Sequence, residues 1–294
     1  MRTLHIRPTS VEGIKRLAKT ISKQENVVHA AALDTAATRA GFANYIHAYR
    51  ALSSSTKGVR AAPLFTTYIS VPWRDAKTRQ RGLEIIKISL SKPLDEMIKP
   101  TQYKHARGLW FFARWVSDQL AYQGAIDSPD LAIARACGAA RTLQFMAATG
   151  LRPSSGSKTE PRGDGDTRIP GLDHSSTWYD PESRKYVVLD EPYSGAVSNR
   201  SAERAAWAEQ HNWEVIKPEW PGMYYPDGGC ELYLMADRKK GLRLDLLAAA
   251  LKSLGPAVIP ENCERVVVPE GETFLSPGEL ARAAMKAARK ASHN

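Results

Sequence analysis

Several things are missing from this chain, and each absence removes a class of function. No apolar run in its 294 residues approaches the ~20 needed to span a bilayer. The opening MRTLHIRPTSVEG has no apolar stretch behind its early arginines, so no secretory signal is read and cytoplasmic residence is expected. Cysteine is scarce. Cys137, Cys230 and Cys263 are odd in number, far apart in sequence and form no CxxC pair, which fits free thiols in a reducing compartment better than a disulfide framework. The seven histidines are scattered without HxxxH or HxH spacing, so no metal site is read. The glycines of PRGDGD, residues 161 to 166, follow no expected strand and open no helix; that argues against a phosphate-cradling loop, and no cofactor is expected.

What is present is positive charge, unevenly placed. The net charge is +10. Residues 1 to 60 hold ten Lys/Arg against three Asp/Glu, and residues 61 to 110 hold nine against four, whereas residues 172 to 255 come to −3. Such segregation points to an anionic partner, with solvated helix faces as the plainer alternative. TSVEGIKRLAKTISKQ, residues 9 to 24, begins a helix at Thr9 and Glu12, with Val11, Ile14, Ala18 and Ile21 as its buried stripe. Lys15, Lys19 and Lys23 share a neighbouring face with Arg16 beside them; like charges so spaced repel, so an anion is a fitting counterpart.

HAAALDTAATRAGFANYIHAYRAL, residues 29 to 52, reads as two short helices meeting at Gly41. Ala37 stands four residues before that glycine, as in a helix-turn-helix; six after it, where the motif wants an aliphatic residue, stands His47, with Ile46 one place early. A DNA-reading version would offer Asn44, His47 and Arg50 to base edges. A plain helical hairpin would instead pack Phe42, Ile46, Tyr49 and Leu52 inward.

From residue 63 the period changes. PLFTTYISVPW and LEIIKISLS read as two strands of a hairpin whose turn carries Arg74, Lys77, Arg79 and Arg81, a candidate phosphate contact or a solvated loop. Residues 101 to 125 and 128 to 149 read as long helices, the second with Ser128 as N-cap, Pro129 at N1 and Gly150 as its stop. Trp110, Phe111, Phe112 and Trp115 cannot all face one way on the first. Residues 152 to 171 have the composition of a linker.

The stretch HSSTWYDPESRKYVVLDEPY, residues 174 to 193, reads as a hairpin turning at Asp180 and Pro181. Asp190 and Glu191 at its far strand end, with His174, are the catalytic candidates if the chain is a metal-dependent phosphodiesterase. Neighbours on a strand point to opposite faces, so these two acids cannot share one ion without a bend. After it come a helix (SAERAAWAEQH), a strand (WEVIKPEW), a second hairpin (GMYYPDGGCELYLMAD) turning at Asp227, Gly228 and Gly229, and a helix (LRLDLLAAALKSL). The segment is rich in aromatics with polar tips, and Trp178, Tyr179, Tyr193, Trp220, Tyr224 and Tyr225 are candidates for a protein partner or a second copy, a core of packed aromatics being the alternative. Ser276, Pro277 and Glu279 start a final helix with an alanine face and Arg282, Lys286, Arg289 and Lys290 near its end. That face is too thin for membrane insertion.

GFANYIHAYRAL together with WYDPESRKYVVLDEPY resembles a family of bacterial proteins of unknown function associated with plasmids, integrated elements and prophages. The resemblance implies a role in mobile-element biology or defence and supplies no catalytic residues. The expected architecture is α+β: a basic N-terminal domain over residues 1 to 151, a linker over 152 to 171, an aromatic-rich domain over 172 to 255 and an extension over 256 to 294. The expected function is a non-catalytic nucleic-acid-associated protein whose C-terminal half holds a protein partner. A metal-dependent phosphodiesterase and a pure protein-interaction module are the alternatives.

Overall fold

The computed structural model describes residues 11–25, 27–42, 44–46, 48, 64–155, 169–195, 199–269 and 272–291. The fold is α+β, and the chain divides into two compact units, residues 1 to 63 and 64 to 294.

In the first unit, α1 (Val11–Glu25) packs on α2 (His29–Arg39). Ile14, Ala18 and Ile21 of α1 are fully buried against Ala32, Ala36 and Ala37 of α2, as the helical spacing requires. Alanine lets the two helices approach closely, and Ala40, Phe42 and Tyr45 close the edge of this core. Gly41 turns the chain at φ +94°, a conformation only glycine adopts without strain. Tyr45, Ile46 and Ala48 after it are helical, and the Tyr45 amide donates to Asp34 Oδ1 at 2.9 Å. Ala48 is buried there while Ile46 is 62% exposed, so Tyr45 and Ala48, not Ile46, face inward. Tyr49 and Leu52 lie outside the described residues.

The second unit is built around α3 (Pro129–Thr149), capped by Ser128 Oγ accepting from the Leu131 amide and stopped at Gly150 with φ +71°. Apolar on most sides, it is buried on most sides. One flank meets a mixed five-stranded sheet in the order β10 (Glu264–Arg265), β2 (Arg81–Leu90), β1 (Phe65–Arg74), β4 (Gln119–Tyr122), β3 (Phe112–Val116). β1 pairs with β4 in parallel, and the other pairings are antiparallel. Phe145 of α3 meets Trp178 edge-on at 4.9 Å, joining the helix to a second, antiparallel sheet in the order β5 (Arg152–Pro153), β6 (Ser176–Tyr179), β7 (Tyr186–Asp190), β9 (Tyr233–Asp237), β8 (Trp213–Ile216). α4 (Ser201–Gln210) and α5 (Leu244–Lys252) flank it.

One hydrophobic core runs from Ile69 to Ala257 and joins residues on both sides of the 152–171 segment. The expected domain boundary there is therefore corrected: Trp178 and Leu189 pack into the same core as Ile69 and Leu143. Residues 101 to 125 are not a helix. They form 3-10 turns at Pro100–His105 and Arg107–Leu109 and then the β3–β4 hairpin, with Phe111 at φ +66°. Within β3 Phe112 is buried and Trp115 exposed on the other face, and Phe111, in the turn before the strand, is exposed as well. Nor is GMYY a strand; the turn ending at Gly229 leads into β9 alone, which pairs with β7 and β8. The last helix, α6 (Pro277–Ala291), starts where expected. Ser276 Oγ accepts from the Glu279 amide, and Asp118 at the β3–β4 turn accepts from Ser276 Oγ and the Gly278 amide. No described helix is long and apolar enough to cross a membrane.

Candidate functional site

The basic candidates fall in two places. Lys15, Arg16, Lys19 and Lys23 are all exposed on α1, clear of its buried stripe. Arg16, Lys19 and Lys23 form no ion pair among the described residues, whereas Arg39 at the end of α2 is paired with Glu25 at 2.8 Å. Asn44 is exposed; His47 and Arg50 lie outside the described residues. In the second unit, Arg74, Lys77, Arg79 and Arg81 are all exposed at the tip of the ten-residue β1–β2 ribbon and likewise unpaired among the described residues. The one acid of the turn, Asp75, holds its shape: Oδ1 accepts from the Lys77 amide at 2.7 Å and the Thr78 amide at 2.9 Å. Those two amides, Thr78's first, hold its carboxyl below the usual range.

The acidic pair is split by strand geometry. Along β7, Val188 points into a small cluster with Trp207, Trp213 and Met235, and Asp190, two residues on, follows it. There Asp190 is fully buried, paired with Arg204 of α4, and accepts from the Asp173 amide at 2.8 Å. Burial pushes its carboxyl up despite the guanidinium. Val187 and Leu189 point the other way, into the main core, and Glu191 follows them. Asp190 and Glu191 therefore cannot grip one ion, and among the described residues no three His, Cys, Asp or Glu side chains are placed to hold a metal. This corrects the phosphodiesterase candidates: Asp190 is a structural half of a buried ion pair.

Glu191 instead reaches a cavity of about 220 Å³ between α3 and the second sheet. Its Oε1 accepts from the Met223 amide at 2.6 Å and the Tyr224 amide at 2.7 Å. Gly222 makes this cradle possible: its φ is +114°, and a Cβ there would stand 2.6 Å from Oε1. Burial pushes the carboxyl up to about 7, opposed by the two amides and then by Arg141 and Arg107. The α3 wall presents Ala134, Arg135, Gly138, Arg141 and Thr142 at helical spacing. Arg141 is 6% exposed, with Nε donating to the Met223 carbonyl at 2.8 Å and Nη1 to the Val258 carbonyl at 2.7 Å. Arg107 lies over the rings of Trp110 and Tyr224, 5.0 and 5.3 Å from their centroids. Gly108 lets its turn touch α3, since a Cβ there would meet Thr142 Oγ1 at 2.2 Å.

His174 does stand near Glu191, though not as a base aimed at its carboxylate. Its Nδ1 is 3.3 Å from the Glu191 main-chain oxygen and 3.2 Å from Asp173 Oδ1, and its ring stacks on Tyr224 at 3.9 Å. His174 and Tyr225 both hold left-handed backbones, at φ +55° and +62°. Non-glycine residues rarely do so, and such strain gathers at binding sites.

Of the expected partner-binding aromatics, Trp178 and Trp220 are 1% and 4% exposed and belong to the core. That is a correction: they are spent on packing against Phe145. Tyr179 is half-buried beside Tyr186, Tyr224 is half-buried under His174, and Tyr193 and Tyr225 are exposed. Arg107, Arg135 and Arg141 were not singled out by sequence. The available signal was two arginines, Arg135 and Arg141, in a helix made mostly of alanine and apolar residues, with the small Ala134 and Gly138 between or beside them.

Comparison of the chain with protein-family models, with characterised proteins and with solved structures finds no match in any of the three.

Proposed function

We propose that this chain is a nucleic-acid-associated protein whose first unit contacts phosphates, in a bacterial mobile-element or defence setting. The observation that carries the reading is the placement of charge: in a stretch, residues 1 to 60, whose net charge is +7, Arg16, Lys19 and Lys23 are exposed on a helix whose other face closes an alanine-rich core. That core uses none of Arg16, Lys19 and Lys23, which form no ion pair among the described residues and so remain available to an anion. The left-handed turn at Gly41, between α2 and the segment carrying Asn44, favours a helix-turn-helix mode of docking. Arg74, Lys77, Arg79 and Arg81 at the β1–β2 tip, unpaired among the described residues, add a second phosphate contact. The setting rests on the resemblance of GFANYIHAYRAL and WYDPESRKYVVLDEPY alone. A protein partner for the C-terminal half is retained through Tyr193 and Tyr225, which are exposed.

The test is fluorescence anisotropy with labelled single-stranded DNA, duplex DNA and RNA. Charge reversal at Arg16, Lys19 and Lys23 leaves the buried stripe intact and should weaken binding at least tenfold, and reversal at Arg74, Lys77, Arg79 and Arg81 should weaken it further. Unchanged affinity in both variants would overturn the reading. A wild-type chain that binds none of the probes at low salt would do the same and would favour the protein-interaction module.

A further inference from the structure

The cavity beside Glu191 is independent of that reading, because it is built within the second unit and does not involve the α1 cations. We propose that it is a binding site for a small aromatic anion: a single ring bearing a carboxylate or a phosphate.

The case for an anion is an imbalance of charge. Arg107, Arg135 and Arg141 all line the cavity, and among the described residues Glu191 is the one acidic residue that does. The guanidinium groups of Arg107 and Arg135 form no ion pair or hydrogen bond among the described residues, and that of Arg107 rests on ring faces. Arg141 is the most telling. A guanidinium at 6% exposure would ordinarily face a carboxylate, yet it has two carbonyl partners and no ion pair among the described residues. Asp227 and Glu191 act on it only from beyond ion-pair distance. Its remaining nitrogen, Nη2, carries neither of those bonds and lies 3.8 Å from where a Cβ on Gly138, in the cavity wall, would stand. A ligand carboxylate or phosphate would supply the missing charge and the bidentate geometry arginine matches best. Glu191 does not defeat this, because burial keeps much of its carboxyl neutral near neutral pH.

The case for an aromatic body comes from the walls. His174 and Tyr224 are stacked with each other, Trp178 and Tyr225 line the same space, and Leu131 and Ala134 complete an apolar side. Flat apolar faces with a few convergent polar groups are what a planar ligand requires. Size sets the limit: about 220 Å³ falls below the ~300–1,000 Å³ of pockets that enclose drug-sized ligands, so one ring fits better than a whole nucleotide.

The experiment uses the full chain, with calorimetry and the fluorescence of Trp178 and its neighbours as readouts. Benzoate, phenyl phosphate, benzyl alcohol, acetate and inorganic phosphate are titrated separately. Saturable binding of benzoate or phenyl phosphate with Kd of about 1 mM or tighter is expected, at least tenfold tighter than benzyl alcohol, acetate or inorganic phosphate. Which of the two aryl anions binds better identifies the acid group. Because Arg141 also holds the Met223 and Val258 carbonyls, the variants are Arg107→Gln with Arg135→Gln, and Ala134→Phe to fill the cavity from its rim. Both should weaken aryl-anion binding about tenfold or more without lowering thermal stability. No saturable binding of either aryl anion by about 1 mM, equal affinity for benzyl alcohol, or affinity unchanged in both variants would overturn the proposal. Loss of nucleic-acid binding in the α1 charge reversal leaves these outcomes unaffected, so the two readings fail separately.

Discussion

Replacing Glu191 by glutamine should stabilise the protein in alkali and do little in acid. The Glu191 carboxyl is 4% exposed and is pushed from 4.5 up to about 7 by burial. In the unfolded chain it titrates at its ordinary value. Between those two points the folded protein therefore holds the extra proton, and stability falls as pH rises from about 4.5 to 7, then levels. At about 1.4 kcal/mol per pKa unit, the full loss is roughly 3 kcal/mol. Glutamine keeps an oxygen for the Met223 and Tyr224 amides and cannot ionise. Any packing cost of the substitution is the same at every pH, so the quantity to read is the difference between variants as pH changes. For a unit of this size, 3 kcal/mol corresponds to roughly 6–12 °C in Tm. Thermal unfolding of both proteins from pH 4.5 to 8 should show Glu191→Gln gaining on the wild type by that amount. Parallel curves, or a variant that loses ground in alkali, would show that the carboxylate is stabilised by Arg141 rather than penalised by burial, and the reasoning would fail.

Two further substitutions probe what holds the second unit together. Asp190→Ala leaves Arg204 buried without its partner and should cost about 3–5 kcal/mol in urea unfolding, whereas Asp190→Leu with Arg204→Met should recover most of it, since Arg204 Nε and Nη1 have no hydrogen-bond partner among the described residues; a double variant as unstable as the single one would contradict this. Gly108→Ala drives a Cβ against Thr142 Oγ1 and the Gly138 carbonyl, and a loss of about 1–3 kcal/mol is expected by the same assay; wild-type stability would show that the Arg107–Leu109 turn is free to move away from α3.

Much of the local structure could be read from the sequence because it depends on local rules. Ser128, Pro129 and Gly150 bound α3 through capping chemistry, Asp180 and Pro181 close a turn between paired strands, and the Ile14, Ala18, Ile21 stripe faces inward by helical period. The alternation that separates Asp190 from Glu191 is equally local. What was hidden depended on long-range packing. Trp110, Phe111, Phe112 and Trp115 have no single period, and only pairing between β3 and β4 and between β4 and β1 decides that Phe112 and Trp115 lie in a strand while Trp110 and Phe111 form the turn before it. The boundary at 152–171 failed because turn-forming composition marks a surface loop as readily as a domain junction, and Phe145 and Trp178 pack together across it. The cavity was the least legible part. It assembles Arg107, Arg141, His174, Glu191 and Tyr224 from five separate segments, and no spacing in the sequence links them.

The central claim is phosphate contact by the first unit, and its most direct measurement is the salt dependence of nucleic-acid affinity. Each phosphate neutralised releases condensed counterions, so contacts by Arg16, Lys19 and Lys23 would contribute about −3 to the slope of log affinity against log salt on duplex DNA, and contacts by the β1–β2 tip would add to it. The expected wild-type slope is about −3 or steeper, made shallower by about 3 when Arg16, Lys19 and Lys23 are reversed together, with the contribution of the β1–β2 tip left in place. A flat salt profile, or a steep one that the reversal leaves unchanged, would contradict it.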